Sequence, residues 1–156
     1  MLDPNIRPRF IRDISRFRAR LDGMMARVGI LKLSDDDLNW ISPEPVSLQE
    51  KIARLLERGP SAVIMTRGSD GATGYLAGGG EVHVPAVPAA VADTVGAGDT
   101  FNAGLLAKLS GLGHLTGPGL AALTPDVLQE AMTHGARAAA VTVSRAGANP
   151  PWAGEL

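Results

Sequence analysis

Cysteine is absent from all 156 residues, which excludes a disulfide framework, a thiolate metal centre and a cysteine nucleophile together. Aromatic residues are scarce, at 4%, so a core must be built from aliphatic side chains. A charge excess is lacking too. Fifteen Lys and Arg against 16 Asp and Glu leave a formal net charge of −1, giving no electrostatic basis for nucleic acid or an anionic membrane as partner. No apolar run approaches membrane-spanning length, and the first residues lack the apolar segment of a signal peptide. A soluble, cytoplasmic protein is the plain expectation. His83, His114 and His134 have no ligand-like spacing and are expected to be structural.

What is present is 45% hydrophobic, enough for one globular core, with 19 Gly and 11 Pro falling at turns. Phe10, Ile14, Phe17, Leu21, Met24 and Val28 recur at alternating spacings of four and three, the pattern of one apolar helix face. Ile30-Leu31-Lys32-Leu33 reads as a short buried strand, and Ser34 with Asp37 as the capping pattern of a following helix. Ser47 with Glu50 opens another helix, ended by Gly59-Pro60. Ala62-Val63-Ile64-Met65 is the continuous apolar run of a strand covered on both faces. Residues 74–77 and 81–84 flank three glycines and suggest a hairpin. Helices are expected from near Gly98 to Gly111 and from Pro125 onward. Trp40 and Trp152 are expected to pack. Alternating strands and helices imply a layered α/β fold with a mainly parallel sheet.

The chemically richest stretch is Ala92-Asp93-Thr94-Val95-Gly96-Ala97-Gly98-Asp99-Thr100-Phe101. Glycines let the backbone approach a ligand, and a helix N-terminus adds free N–H groups and the positive end of its dipole. Asp99 would be repelled by phosphate in a simple binding loop. It fits as a base taking a proton from a hydroxyl while the N–H groups neutralise a transferring phosphoryl group. The plainer alternative is that Asp99 caps the helix. A Walker A loop is excluded because no lysine follows Gly98 until Lys108. The dinucleotide fingerprint fails because Phe101 stands where its third glycine belongs.

Asp93-Thr94-Val95-Gly96-Ala97-Gly98-Asp99-Thr100-Phe101 resembles the signature of the ribokinase-like (PfkB) carbohydrate kinases. Met65-Thr66-Arg67-Gly68-Ser69-Asp70-Gly71 is similar to that family's segment beside the nucleotide. Asp3-Pro4-Asn5-Ile6-Arg7 resembles a stretch of fructokinase-type and ketodeoxygluconate-kinase-type members, and residues 143–148 resemble the C-terminal nucleotide-site loop. The resemblance implies a three-layer α/β/α fold and ATP-dependent phosphoryl transfer to a hydroxyl of a sugar or sugar acid. By it, Asp99 is the base and Gly96, Ala97 and Gly98 form the anion hole. Thr66, Arg67, Gly68, Gly71, Gly135, Ala136 and Gly147 serve the nucleotide, while Asn5, Arg7 and Asp99 serve the acceptor. Asp37 stands where relatives carry a glutamate that helps organise Mg2+; a solvated first-turn acid is the alternative. Asp93 and the carbonyls of Val95 and Gly147 would be the place of a K+ ion, which the following Pro150-Pro151 disfavours.

Such kinases run to roughly twice this length as one domain. The 156 residues are therefore expected to be the C-terminal nucleotide-binding and catalytic part, without the N-terminal sugar and lid half, and inactive alone. Self-association through an exposed sheet edge, or a homo-oligomer, is expected. The rival readings are a non-catalytic adenine-nucleotide module, one piece of a split kinase, and a purely structural α/β domain.

Overall fold

The computed structural model describes residues 1–156. Six α-helices surround four strands: α1 (Ile14–Met25), β1 (Ile30–Ser34), α2 (Asp35–Ile41), α3 (Leu48–Leu56), β2 (Ala62–Thr66), β3 (Ala72–Leu76), β4 (Glu81–Val84), α4 (Ala97–Gly111), α5 (Gly117–Ala121) and α6 (Pro125–Val143). The strands lie in the order β1-β2-β3-β4. β1 and β2 are parallel, whereas β2–β3 and β3–β4 are antiparallel. Leu2 adds a parallel bridge on the outer side of β1. The layered α/β class holds, but within this chain the sheet is mixed. The reason is local: the turn through Gly68 and Gly71 and the glycines between β3 and β4 fold the chain straight back on itself, with no helix long enough for a parallel crossover.

Successive strand residues point to opposite faces, so apolar runs feed two cores. Ile30, Ala62, Ile64, Ala72, Leu76 and Val84 pack against Phe101, Leu105 and Leu109 of α4 and Leu128 and Met132 of α6. Leu31, Leu33, Val63, Met65 and Tyr75 face the other way, onto α1, α2 and α3. The result is helices, sheet, helices. Lys32 is the exception on the α4 side, a lysine only 7% exposed among aliphatic neighbours.

Five of the six helices begin with a side-chain cap. Asp13, Ser34, Ser47, Thr116 and Thr124 each accept an N–H from the first turn. α4 begins instead at Gly96, in the left-handed region with φ of 80°, and no side chain caps it.

Several expectations shift. Met25 rather than Met24 is buried, and Phe10 and Ile14 are exposed because α1 starts only at Ile14 and touches the core through its second half. Trp40 packs edge-on to Phe17 with centroids 5.5 Å apart, while Trp152 is exposed, not packed. The short α5 went unforeseen, as Gly117 and Pro118 read as turn residues.

α4 and α6 meet almost backbone to backbone at Gly104 and Gly135. A Cβ on Gly135 would lie 2.7 Å from the Phe101 carbonyl oxygen, and one on Gly104 3.0 Å from the Gly135 Cα. Gly135→Val should therefore force the helices apart and cost about 1–3 kcal/mol, as core overpacking does. A chemical denaturation midpoint equal to that of the wild type would contradict this packing.

Candidate active site

The loop 92–96 leads into α4 and is held by hydrogen bonds from both sides. Asp93 Oδ1 accepts the Val95 N–H at 3.0 Å and Oδ2 accepts the Gly147 N–H at 3.0 Å. The Ala92 N–H donates to the Val143 carbonyl at 2.7 Å. Inside the helix pair, the Thr142 hydroxyl donates to the Thr100 Oγ1 at 3.0 Å, and Thr100 donates to the Gly96 carbonyl at 2.9 Å. Gly96 is needed twice over: its φ is positive, and a Cβ there would come 2.9 Å from the Ala148 Cβ.

The first turn of α4 is consequently open. The N–H groups of Gly98 and Asp99 have no acceptor in the chain, while that of Ala97 makes a long bond, 3.3 Å, to the Thr94 carbonyl. Of the expected Gly96-Ala97-Gly98 segment, the Gly98 N–H is therefore free, and the next N–H, that of Asp99, is free beside it. Asp99 is exposed, and its carboxylate makes no hydrogen bond. It is not the helix cap, since Gly96 holds that position.

Ala97 and Gly98 line a cleft of about 580 Å³ together with Thr66, Gly68, Gly71 and Ala136. Thr66 ends β2, so the cleft opens at the carboxyl ends of the parallel strands, where open α/β sheets place their ligands. Gly71 is obligatory: its φ is 83° and a Cβ would lie 2.2 Å from the Val84 carbonyl oxygen. The far wall, Ala139, Ala140 and Val143 of α6 with Val87, Pro88 and Val91 of the linker after β4, escaped the sequence reading. That linker has no helical or alternating pattern, and its apolar residues are the only trace it leaves in sequence.

Other expected residues lie elsewhere. Gly135 is spent on the α4–α6 contact, and Gly147, with φ of 70°, binds Asp93 rather than lining the cleft. Arg67 pairs with Asp35 at 3.2 Å, outside the cleft lining. Asn5 and Arg7 line a separate hollow of about 440 Å³ rich in arginine. Asp37 does not match the expected metal role or the solvated alternative. It is buried, and its oxygens accept from the Ile6 N–H at 2.7 Å, the Ser34 N–H at 3.1 Å and the Ser34 hydroxyl at 2.7 Å. That carboxylate is a structural clasp between residue 6 and α2. No cluster of three or more metal-ligating side chains exists, and no helix is long and apolar enough to cross a membrane.

With the geometry established, known proteins supply the comparison. The profile of the pfkB family carbohydrate kinases matches residues 1–153. The chain belongs to that family. A fructokinase of Rhizobium leguminosarum bv. trifolii is 42% identical over 82% of this chain and 39% of its own length. A 2-dehydro-3-deoxygluconokinase of Escherichia coli (strain K12) is 35% identical over 74% of this chain and 41% of its own. Among solved structures, aminoimidazole riboside kinase from Salmonella enterica, complexed with aminoimidazole riboside and an ATP analog, superposes with a TM-score of 0.76. It is 30% identical, over 94% of this chain and 46% of that one. A chain from E. coli described as ribokinase II, in complex with ATP and Mg2+, gives 0.74 at 30% identity, over 93% of this chain and 42% of its own. This family member thus spans about two-fifths of the length of the curated relatives it matches. The fold is ribokinase-like.

The clamp at Asp93 is testable by pH. The backbone N–H groups of Val95 and then Gly147 hold its carboxyl below the ordinary 3.8. A depressed carboxyl stabilises the closed loop at pH values above its unfolded pKa, and that contribution fades as pH falls through the lower folded value. The Gly147 amide resonance should titrate with a midpoint below 3.8. A midpoint at or above that value would refute the clamp.

Proposed function

We propose that the chain forms the nucleotide and phosphoryl-transfer side of an ATP-dependent carbohydrate kinase of the fructokinase or 2-dehydro-3-deoxygluconokinase type. One observation carries the proposal: α4 alone lacks a side-chain cap, and beside its free Gly98 and Asp99 N–H groups stands an unbonded carboxylate. A helix N-terminus presenting bare N–H groups suits phosphate oxygens. The carboxylate of Asp99 suits a proton. In this reading the triphosphate lies along Gly96–Asp99 and the base lies in the cleft against Ala136 and Val143. Thr66, Gly68 and Gly71 form the facing wall. Asp99 takes the proton of the acceptor hydroxyl as its oxygen attacks the γ-phosphorus, and the N–H groups balance charge on the transferring group.

The protein offers no cage of its own for Mg2+, since Asp37 is committed elsewhere. Magnesium here travels with the phosphate oxygens and water, as it does at many phosphoryl-transfer sites. A K+ ion is not needed for this step; Asp93 bonds the N–H groups of Val95 and Gly147, and the carbonyls of those residues are the groups that would hold such an ion. Asn5 and Arg7 belong to the acceptor side, along with the hollow they line.

A second reading, nucleotide binding without turnover, is favoured for the isolated chain by the separation of that hollow from the cleft. In both readings, titration with ATP to about 10 mM should shift the amide resonances of Gly96 to Thr100, with a Kd of about 1 mM. Unmoved resonances there would overturn the proposal. A coupled ADP-release assay with fructose and 2-dehydro-3-deoxygluconate separates the two readings.

Asp99→Asn keeps the side-chain shape and removes the base. ATP affinity should stay within about threefold, while any turnover falls by about 10²–10⁴-fold. Turnover equal to the wild type would remove Asp99 from the mechanism.

A further inference from the structure

Lys32 is unexplained by the fold. It sits in β1 on the face that packs against α4, 7% exposed, where an aliphatic residue would be expected. A buried ammonium carries a desolvation cost that partners must offset. It has one: Asp3 Oδ2 at 2.8 Å. The same oxygen accepts from the Asn102 amide of α4 at 2.9 Å. An ammonium has three N–H donors, and the protein supplies no acceptor for the other two. Asn102 Oδ1, in turn, is buried and bonded to nothing. Polar capacity is therefore left unused in a nearly dry place.

The location is specific. A Cβ built on Gly98 would lie 3.3 Å from the Lys32 Nζ. The glycine at this position leaves space for an ammonium as well as for a ligand. Asp3 is carried there by the bridge of Leu2 to β1, with the Leu2 N–H on the Ile30 carbonyl and the Lys32 N–H on the Leu2 carbonyl, each at 2.9 Å. Two separate segments, residues 2–3 and α4, thus converge to orient one amine beside the open first turn.

We propose that Lys32 contacts the transferring phosphoryl group and neutralises its charge, with Asp3 and Asn102 as positioning residues. This rests on the phosphoryl-transfer reading above. In the step, the acceptor hydroxyl oxygen forms a bond to the γ-phosphorus as the bond from phosphorus to the bridging β-γ oxygen breaks. Its electron pair leaves on ADP, and the hydroxyl proton goes to Asp99. Lys32 stays an ammonium throughout. Partial charges of the helix end alone are worth little beside a full one in a site that excludes water, and a hydrogen bond from an ammonium to phosphate is of the stronger kind.

The test is the preference for ATP over ADP, which differ by the group Lys32 would hold. Calorimetric titration of the 156-residue chain with each nucleotide and magnesium should give ATP about tenfold tighter, the contribution of one charge-assisted contact. In Lys32→Met, and in the charge-neutral pair Asp3→Asn with Lys32→Met, the preference should fall below about twofold with ADP affinity kept. ADP binding reports that each variant is folded. In the wild type, ATP but not ADP should shift the Lys32 Cε and Nζ resonances, a readout that needs no substitution. Equal affinity of the wild type for the two nucleotides, or an undiminished preference in either variant, would overturn the proposal and leave the nucleotide site standing. Failure of the wild type to bind either nucleotide would overturn the phosphoryl-transfer reading itself, and this role with it.

Discussion

Gly104 and Gly135 bring α4 and α6 closer than side chains would permit, and the geometry of the cleft depends on that contact. Because α6 lies so near, Thr142 reaches Thr100, and Val143 and the loop behind it reach the strand-to-helix turn at residues 92–96. The turn cannot drift while α6 holds it. Its amides are aimed by packing in the second layer of the protein, the preorganisation that the proposed phosphate cradle would need. Leu105, Leu109, Leu128 and Met132, all fully buried between these helices and the sheet, supply the burial that keeps the pair in place.

A second, electrostatic layer lies on this scaffold. Carboxylates near the site divide by what they bond. Asp37 is enclosed by N–H and hydroxyl donors and acts as a clasp. Asp93 joins two loops, and Asp35 faces Arg67. Asp99, unlike these three, has no bonding partner, and it adjoins the uncapped helix end. An exposed carboxylate in the first turn of a helix is favoured by the dipole and free to accept a proton, so its lack of a protein partner suits proton transfer.

Much of this was readable in the sequence. The apolar runs at 30–33 and 62–65 are strands because a sheet covered on both faces leaves no polar alternation, and the capping pairs at Ser34 and Ser47 start helices where they stand. The signature at 93–101 marked the cleft because glycines at a helix start let the backbone approach a ligand, and an acid among them has no place in a simple phosphate loop. Pairing direction was not legible, since the same apolar run serves parallel and antiparallel ladders alike. The family resemblance puts Gly135 on the ligand side, whereas the structure shows it as a contact between helices, a fact that depends on Phe101 and Gly104, far away in sequence. Asp37 and Lys32 were misjudged or passed over for one reason. Burial is a tertiary property, and neither residue carries any local sign that residues 2–6 will fold against it.

The central claim is that the triphosphate of ATP sits on the N-terminus of α4. A crystal structure of the chain with a non-hydrolysable ATP analogue tests it most directly. The account predicts γ-phosphate oxygens about 2.7–3.2 Å from the amide nitrogens of Gly98 and Asp99, with the base against Ala136 and Val143. A triphosphate bound away from α4, for instance in the arginine-lined hollow beside Arg7, would contradict it.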